Sequence, residues 1–215
     1  HHDEEQTILN PNTKITEFKI TQDIFVHDLQ KSIFKANNAI QRGAESLKFI
    51  IPNHTIDTVA LLSSIENKNI TVYISFEFLS ESYIQNIDNW AANSSLNIYF
   101  LLDIIGSLAQ EGNWYTNQEQ DLQVVKNLHT NLKNTQALSV NASLYQNAGA
   151  TITQQLAYTL AHINEYFNLI ENFNKTIVVE VALGTNYFFE IAKLRALRVL
   201  FDSLNEIYNT QAKLH

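Results

Sequence analysis

The sequence contains no cysteine among its 215 residues. Without thiols the chain has no disulfide framework, no thiolate metal cage and no cysteine nucleophile. It also contains no methionine, so the printed chain is expected to start after some upstream sequence or to have lost its initiator. The lack of cysteine is compatible with a reducing compartment, and we expect a cytoplasmic protein.

Basic residues are few: 14 Lys and Arg stand against 22 Asp and Glu, which gives a net charge of -8. Because nucleic-acid affinity depends largely on Lys and Arg neutralising phosphates, this balance argues against a nucleic-acid partner. No apolar run approaches the roughly 20 residues that span a bilayer, and no signal-like segment opens the chain. No membrane partner is therefore expected.

Glycine is also scarce, with only five in the chain. Neither the dinucleotide-binding GxGxxG pattern nor the P-loop is present, so a nucleotide site of either kind is not expected. The GxSxG elbow of a serine triad and the HxH and HExxH metal patterns are missing as well. The sequence thus contains none of these local catalytic motifs, and we predict no metal site from them.

The chain divides into a short polar start and one long domain. Residues 1–14 are polar and include Pro11, so we expect an N-terminal arm, or a tag remnant if His1 and His2 are not native. Residues 15–215 contain no long linker rich in proline or serine, and 45% of the chain is hydrophobic. A single domain with one core is the simplest prediction for them.

Short runs of β-branched and aromatic residues alternate with longer segments of helical spacing. This alternation predicts parallel β-strands with helices packed outside the sheet, which is an α/β fold. About six such βα units can be counted. Their predicted strands cover residues 18–26, 47–51, 70–76, 96–103, 137–141 and 177–181.

Two of the predicted helices have the clearest patterns. From residue 152 to 170, large apolar residues recur at three- and four-residue steps, which predicts one buried helical face. The last helix is predicted to run from about Tyr187 to Tyr208. Its apolar arc includes Glu190 and Lys193, one turn apart, and two interpretations stay open: a mutual ion pair, or a contact with a ligand or partner.

In parallel α/β folds, functional sites gather at the carboxyl ends of the strands. Polar residues at these ends could supply acid/base or metal chemistry. They could equally be structural, because Asp28 and Asp57 are suited to capping helices, and Glu77 or Asp103 could bind backbone amides at a loop. The candidate rim residues are His27, His54, Glu77, Asp103, Tyr145, Gln146, Asn147 and Asn186.

Two segments of the chain match the signatures of a known family. Residues 147–150, read together with 154–161, are similar to its AGA and QELAYALA segments, and residues 186–198 look like its NFFMEIAKMRAAR signature. Both segments resemble the methylmalonyl-CoA mutase family. The two matches occur in the right order. The resemblance covers about residues 136–204.

The resemblance implies a TIM barrel of the (β/α)8 type that holds an acyl-CoA along its axis, with adenosylcobalamin over one end on a separate domain. Catalytic chains of the family carry adjacent tyrosine and histidine shortly before a glutamine that matches Gln146 here. At the positions of that tyrosine and histidine, this chain has Ser143 and Leu144. Leucine has no hydrogen-bonding group, and serine cannot reach as far as tyrosine. The cobalt-ligating DxHxxG motif is absent from the sequence as well.

These departures resemble the small, or β, subunit of heterodimeric members of the family. The resemblance therefore implies a component of an isomerase that itself lacks catalytic residues and binds no cofactor alone. Adenosylcobalamin would be held in the holoenzyme by its partner, the large catalytic mutase subunit.

A complete TIM barrel has eight strands in about 250 residues, whereas about six βα units precede His215 here. An open barrel leaves strand edges unpaired and exposes core residues. We therefore expect an incomplete barrel. It would be a piece of a longer subunit, or its gap would be filled by another copy through self-association.

Two functional hypotheses follow. The first is a non-catalytic small subunit that supports the large subunit of an adenosylcobalamin-dependent mutase interconverting methylmalonyl-CoA and succinyl-CoA. The second is an autonomous barrel enzyme that uses His27, His54, Glu77 and Asp103 as acid/base or metal groups.

Overall fold

The computed structural model describes residues 18–67 and 69–215, so the predicted arm over residues 1–14 lies outside the described residues. The described chain alternates between strands and helices and forms two compact units, which meet in sequence between Ser139 and Val140. The strands are β1 Thr21–Phe25, β2 Ser46–Ile51, β3 Thr71–Phe76, β4 Asn97–Leu101, β5 Gln136–Ala137, β6 Ser139–Asn141, β7 Thr176–Glu180 and β8 Lys213–Leu214. The helices are α1 Leu29–Gln41, α2 Thr58–Ser63, α3 Glu81–Ala91, α4 Ile104–Glu111, α5 Gln118–Asn131, α6 Ser143–Asn147, α7 Ile152–Leu169 and α8 Tyr187–Tyr208.

The first unit is built on a parallel sheet with the strand order β1-β2-β3-β4-β5. One face is apolar, as the register row Ile24, Phe49, Ile74 and Phe100 shows, and all four side chains are buried. Alternate residues point to the opposite face, which mixes polar and apolar side chains. These strands and the helices that follow them confirm the predicted α/β class.

The opposite face carries the polar register row Asp23, Lys48, Tyr73 and Tyr99. The rings of Tyr73 and Tyr99 stack with their centroids 5.5 Å apart. Burial, helped by the neighbouring Tyr99, raises the pKa of Tyr73 to about 12. The tyrosine hydroxyl therefore stays protonated throughout the physiological range.

Aspartates start three of the helices in the first unit. Asp28, Asp57 and Asp103 each accept a hydrogen bond from the backbone N–H three residues on, which stabilises the free helix end. The predicted N-cap at Asp57 is confirmed. Helix α2 itself is short and ends at Ser63.

Helix α4 depends on a close approach between Gly106 and its N-cap. The Gly106 N–H donates to Asp103 Oδ1 over 2.8 Å, and a Cβ on Gly106 would collide with that carboxylate. We expect Gly106→Ala to lower the free energy of unfolding by about 1 to 2 kcal/mol, because the cap must move away. Urea denaturation measures this loss.

The matched control for this change is the Asp103→Ala background. Asp103→Ala alone should cost about 1 kcal/mol. Adding Gly106→Ala to it should cost little more, since the carboxylate that the new methyl group would strike is already gone. Fully additive losses would show that the glycine matters for another reason.

The second unit contains a three-stranded sheet with the order β6-β7-β8, in which β7 and β8 are parallel. Both clear helix predictions are confirmed, as α7 and α8. Helix α7 begins with a capping box between Thr151 and Gln154. Its core contacts include Phe167, whose ring lies 5.4 Å from that of Phe173 and 6.1 Å from that of Phe201.

The buried face of α7 differs from the predicted apolar stripe in the first half of the helix. Ile152, Leu156 and Leu160 are only partly buried, whereas Gln155, Thr159 and His162 are buried. These polar residues tolerate burial because they have hydrogen-bond partners. The second half follows the prediction, with buried Ile163, Phe167 and Ile170.

Other elements depart from the predicted pattern as well. The predicted strand over residues 137–141 is two short strands, β5 and β6, which belong to different sheets. Two helices, α4 and α5, occupy the connection from β4 to β5, and β8 was not anticipated. Among the described residues, no helix is long and apolar enough to cross a membrane.

Candidate functional site

The rim candidates of the first unit follow four neighbouring strands. His27, His54 and Glu77 come after β1, β2 and β3 and are exposed, while Asp103 follows β4 and is half-buried. The ring of His54 packs edge-on against Phe78, with centroids 6.3 Å apart. Within residues 18–67 and 69–215, no three His, Asp or Glu side chains are grouped so that they could hold a metal ion.

The candidates of the second unit that follow β6 lie on α6, a single helical turn that the sequence pattern did not indicate. We call the segment from Ser143 to Gly149 the corner. Ser143, Leu144, Tyr145 and Gln146 are half-buried and Asn147 is exposed. The corner closes at Gly149, whose φ of +88° strongly favours glycine. The remaining candidate, Asn186, caps α8 by accepting a hydrogen bond from the Phe189 N–H over 3.3 Å.

Two side chains of the corner are engaged in internal hydrogen bonds. The Ser143 hydroxyl donates to the side chain of Asn141. The Tyr145 hydroxyl is 3.0 Å from Nδ1 of His162, a buried residue of α7 whose ring stacks on Tyr166 at 5.4 Å. These bonds fix the corner against α7 and β6.

The centre of the site is the buried Lys193 of α8. Its Nζ lies 2.5 Å from Glu190 Oε2, so the predicted ion pair is confirmed. The same Nζ donates to the Ala182 carbonyl over 2.7 Å and to Gln155 Oε1 over 3.1 Å. Gln146 Oε1 is a more distant fourth acceptor at 3.5 Å. One ammonium group therefore joins α6, α7, the end of β7 and α8.

Glu190 is held from both sides. The hydrogen bond from Lys193 lowers the pKa of Glu190 below its usual value, more than burial raises it, and the Gly184 N–H adds to the lowering. The approach of Gly184 is close, since a Cβ there would lie 2.9 Å from Glu190 Oε1. The pair therefore fixes the loop between β7 and α8 as well as the helix.

This arrangement positions backbone elements and leaves little room for a reaction. The three N–H bonds of Lys193 match Glu190, Ala182 and Gln155, so the ammonium is committed to internal acceptors. A small cavity next to it has room for about one water molecule. Its lining consists of Ala142, Gln155, Leu156, Thr159, Val181, Ala182, Lys193 and Leu197.

The stabilisation from the Glu190–Lys193 pair is expected to disappear in acid. A carboxyl whose folded pKa is lowered stabilises the fold above its unfolded pKa, near 4.5, and that contribution is lost as the pH falls through the lower folded pKa. Glu190→Gln mimics the protonated side chain. In urea denaturation, the stability difference between the two proteins should be constant from about pH 7 to 5 and should shrink as the pH falls below the unfolded pKa. A difference that does not shrink below the unfolded pKa would contradict the assigned pKa direction.

Of the other acceptors of Lys193, Gln146 was among the predicted candidates, whereas Gln155 and Ala182 were not. Gln155 and His162 are seven residues apart on α7, with Thr159 between them, so all three lie on one helical face. A polar stripe beside an apolar one is the local signal that marks this face. The Ala182 carbonyl has no such signal, because any residue could supply it.

Comparison with known proteins gives consistent results. A model of the methylmalonyl-CoA mutase family matches residues 56–214. The methylmalonyl-CoA mutase small subunit of Porphyromonas gingivalis is 28% identical over 219 positions, covering 92% of this chain and 35% of that protein. The methylmalonyl-CoA mutase of Rhizobium meliloti is 23% identical over 194 positions, covering 85% of this chain and 26% of that protein.

Large subunits match over a shorter stretch. The methylmalonyl-CoA mutase large subunit of Streptomyces virginiae is 37% identical over 75 positions, which is 32% of this chain and 10% of that protein. The chain spans 26% and 35% of the two relatives that it matches over most of its own length. The family model alone covers well over half of the described residues. The chain belongs to the methylmalonyl-CoA mutase family.

Proposed function

We propose that this chain is a non-catalytic small subunit of an adenosylcobalamin-dependent methylmalonyl-CoA mutase, and that it supports a large catalytic subunit. The observation that carries the proposal is the corner at Ser143 and Leu144. Where catalytic chains are expected to carry tyrosine and histidine, one side chain has no polar group and the other is bonded to Asn141. The scaffold around the corner is intact, since Lys193 still joins Gln146, Gln155 and Glu190.

The relatives support this assignment of subunit type. One relative that matches over 92% of the chain is named as a small subunit. We propose that the fold completes as a TIM barrel and that the protein acts in the cytoplasm as one half of a heterodimer. No contact among the described residues favours the autonomous enzyme that His27, His54, Glu77 and Asp103 could otherwise suggest.

The corner does not fit adenosylcobalamin as a ligand of this chain. Ser143 and Tyr145 are turned to the internal partners Asn141 and His162, and Leu144 has no donor. We therefore propose that the large subunit holds the cofactor and that no chemical step uses residues of this corner.

The test compares this chain alone, the large subunit of its source alone, and the two together. With adenosylcobalamin and methylmalonyl-CoA, this chain alone should form no succinyl-CoA and leave the cobalamin spectrum unchanged. The two chains should co-purify in a one-to-one complex that is active. Turnover by this chain alone would refute the non-catalytic assignment, and failure to co-purify would refute the partnership.

A matched pair of variants tests whether the side chains of the corner take part in the reaction. In the complex, Leu144→Ala and Ser143→Ala should each leave kcat and KM within roughly two-fold, because neither group touches a reacting atom. Loss of kcat by a hundred-fold or so with an unchanged melting temperature would show that the corner takes part in the chemistry.

A further inference from the structure

Helix α8 carries a second apolar face besides the one that is buried. Six residues recur at three- and four-residue steps and fall within an arc of about 80° at 100° per residue. We call them the α8 stripe: Phe189, Ala192, Ala196, Leu200, Ser203 and Ile207. Phe189, Leu200 and Ile207 are 60%, 39% and 75% exposed. The stripe is about 27 Å long at 1.5 Å per residue.

The α8 stripe lies apart from the helix's own packing face. The residues that α8 buries are Glu190, Lys193, Leu197 and Phe201. Contacts with α7 use Phe201 and Tyr208, whose rings meet Phe167. An exposed apolar stripe of this length on a soluble chain marks a surface that another element covers.

We propose that the α8 stripe pairs with the α8 stripe of a second copy of this chain, the two helices running antiparallel about residue 198. In that register Phe189 meets Ile207 of the other copy at both ends. Leu200 meets Ala196, so a large side chain faces a small one near the centre, as close helix packing requires. The pairing is isologous, the commonest arrangement in dimers.

The charges beside the stripe favour the antiparallel direction. Arg195 and Asp202 lie on one flank of α8, two turns apart, and neither has an ion-pair partner among the described residues. Antiparallel pairing about residue 198 places Arg195 of each copy near Asp202 of the other. Parallel pairing would put this flank of the two copies on opposite sides of the interface, so the attraction between Arg195 and Asp202 would be lost.

The exposed apolar area on α8 is also close to the apolar area of a stable dimer interface. A stable dimer buries about 800 Å² on each partner, of which about two thirds is apolar in homodimers. Phe188, next to the stripe, is 79% exposed. With Phe189, Leu200 and Ile207 it offers on the order of 500 Å² of apolar side-chain surface. The pairing is independent of the proposed mutase function.

Sedimentation velocity of the full chain over a concentration series tests the proposal. The 24.6 kDa chain should form a dimer, and Leu200→Glu should weaken it at least about ten-fold. Phe34→Glu, the same kind of change at a 70% exposed position of α1, is the control and should leave the dimer intact. A chain that stays monomeric, or a dimer that survives Leu200→Glu, would overturn the proposal.

Charge reversal identifies the second copy as the occupant. Arg195→Asp and Asp202→Arg should each weaken the dimer several-fold, and the double variant should restore it. Only a partner with the same sequence gives this rescue. A double variant that associates no better than the single ones, or a stripe that only the large mutase subunit protects, would overturn the pairing.

Cross-linking tests whether the two α8 helices run antiparallel, without relying on a change that weakens the dimer. The chain has no cysteine of its own, so introduced ones report cleanly. A mixture of Phe189→Cys and Ile207→Cys chains should form a disulfide-linked dimer. Phe189→Cys chains alone should not, because antiparallel pairing holds these positions about 27 Å apart. The reverse pattern would rule out the proposed register.

Discussion

Replacing Lys193 by methionine is expected to lower the free energy of unfolding by about 3 kcal/mol. Methionine fills a similar volume, so the loss comes from the groups left behind: the Glu190 carboxylate, the Ala182 carbonyl and Gln155 Oε1. Removing one partner of a buried ion pair typically costs about 3 to 5 kcal/mol. The lower end applies, because the Glu190 side chain keeps 11% of its surface exposed.

Urea denaturation at neutral pH measures this loss. The control is Lys126→Met, the same change at an exposed position of α5, which should alter stability by no more than about 0.5 kcal/mol. The double variant Lys193→Met with Glu190→Leu should recover part of the loss, because no unpaired carboxylate remains. A loss below about 1 kcal/mol in the single variant would mean that the pair does not hold the four elements together.

Much of the fold follows from local patterns. Helix α8 spans the predicted residues, and strand β3 begins one residue later than predicted. Runs of β-branched residues and a sustained helical period are visible in a sequence because each such strand or helix buries one face, and that face must be apolar. Short elements carry no such pattern. The two-residue strands β5 and β8 and the one-turn helix α6 depend on tertiary contacts, and the predicted barrel remains a proposal.

The site was predictable only in part. An acid and a base one turn apart inside an apolar arc indicated the Glu190–Lys193 pair, because buried charges need partners. The acceptor Gln155 is 38 residues away from Lys193, and no local period relates such distant positions. His27, His54 and Glu77 were candidates because strand ends form sites in α/β folds. The structure leaves these three exposed, so topology alone does not create a site.

Asp88 of α3 makes a dense set of hydrogen bonds in the first unit. Its carboxylate is buried and accepts from the backbone N–H groups of Lys133 and Asn134 over 3.2 and 3.0 Å. It also accepts from the Thr135 hydroxyl over 2.7 Å and from the Asn134 side-chain amide over 3.2 Å. One side chain thus holds the whole turn that leads from α5 into β5.

Asp88→Ala should therefore lower the free energy of unfolding by about 3 to 4 kcal/mol, because it leaves several donors without an acceptor. Asp88→Asn should cost less, about 2 kcal/mol, since its amide keeps one oxygen but turns an NH2 group toward other donors. Glu165→Ala, at an exposed position of α7, is the control and should change stability by at most about 0.5 kcal/mol. Hydrogen exchange adds a local readout: the amides of Lys133 and Asn134 should lose protection in both variants before the rest of the sheet does. Unchanged protection there would mean that the turn is held by its own backbone and that Asp88 is dispensable.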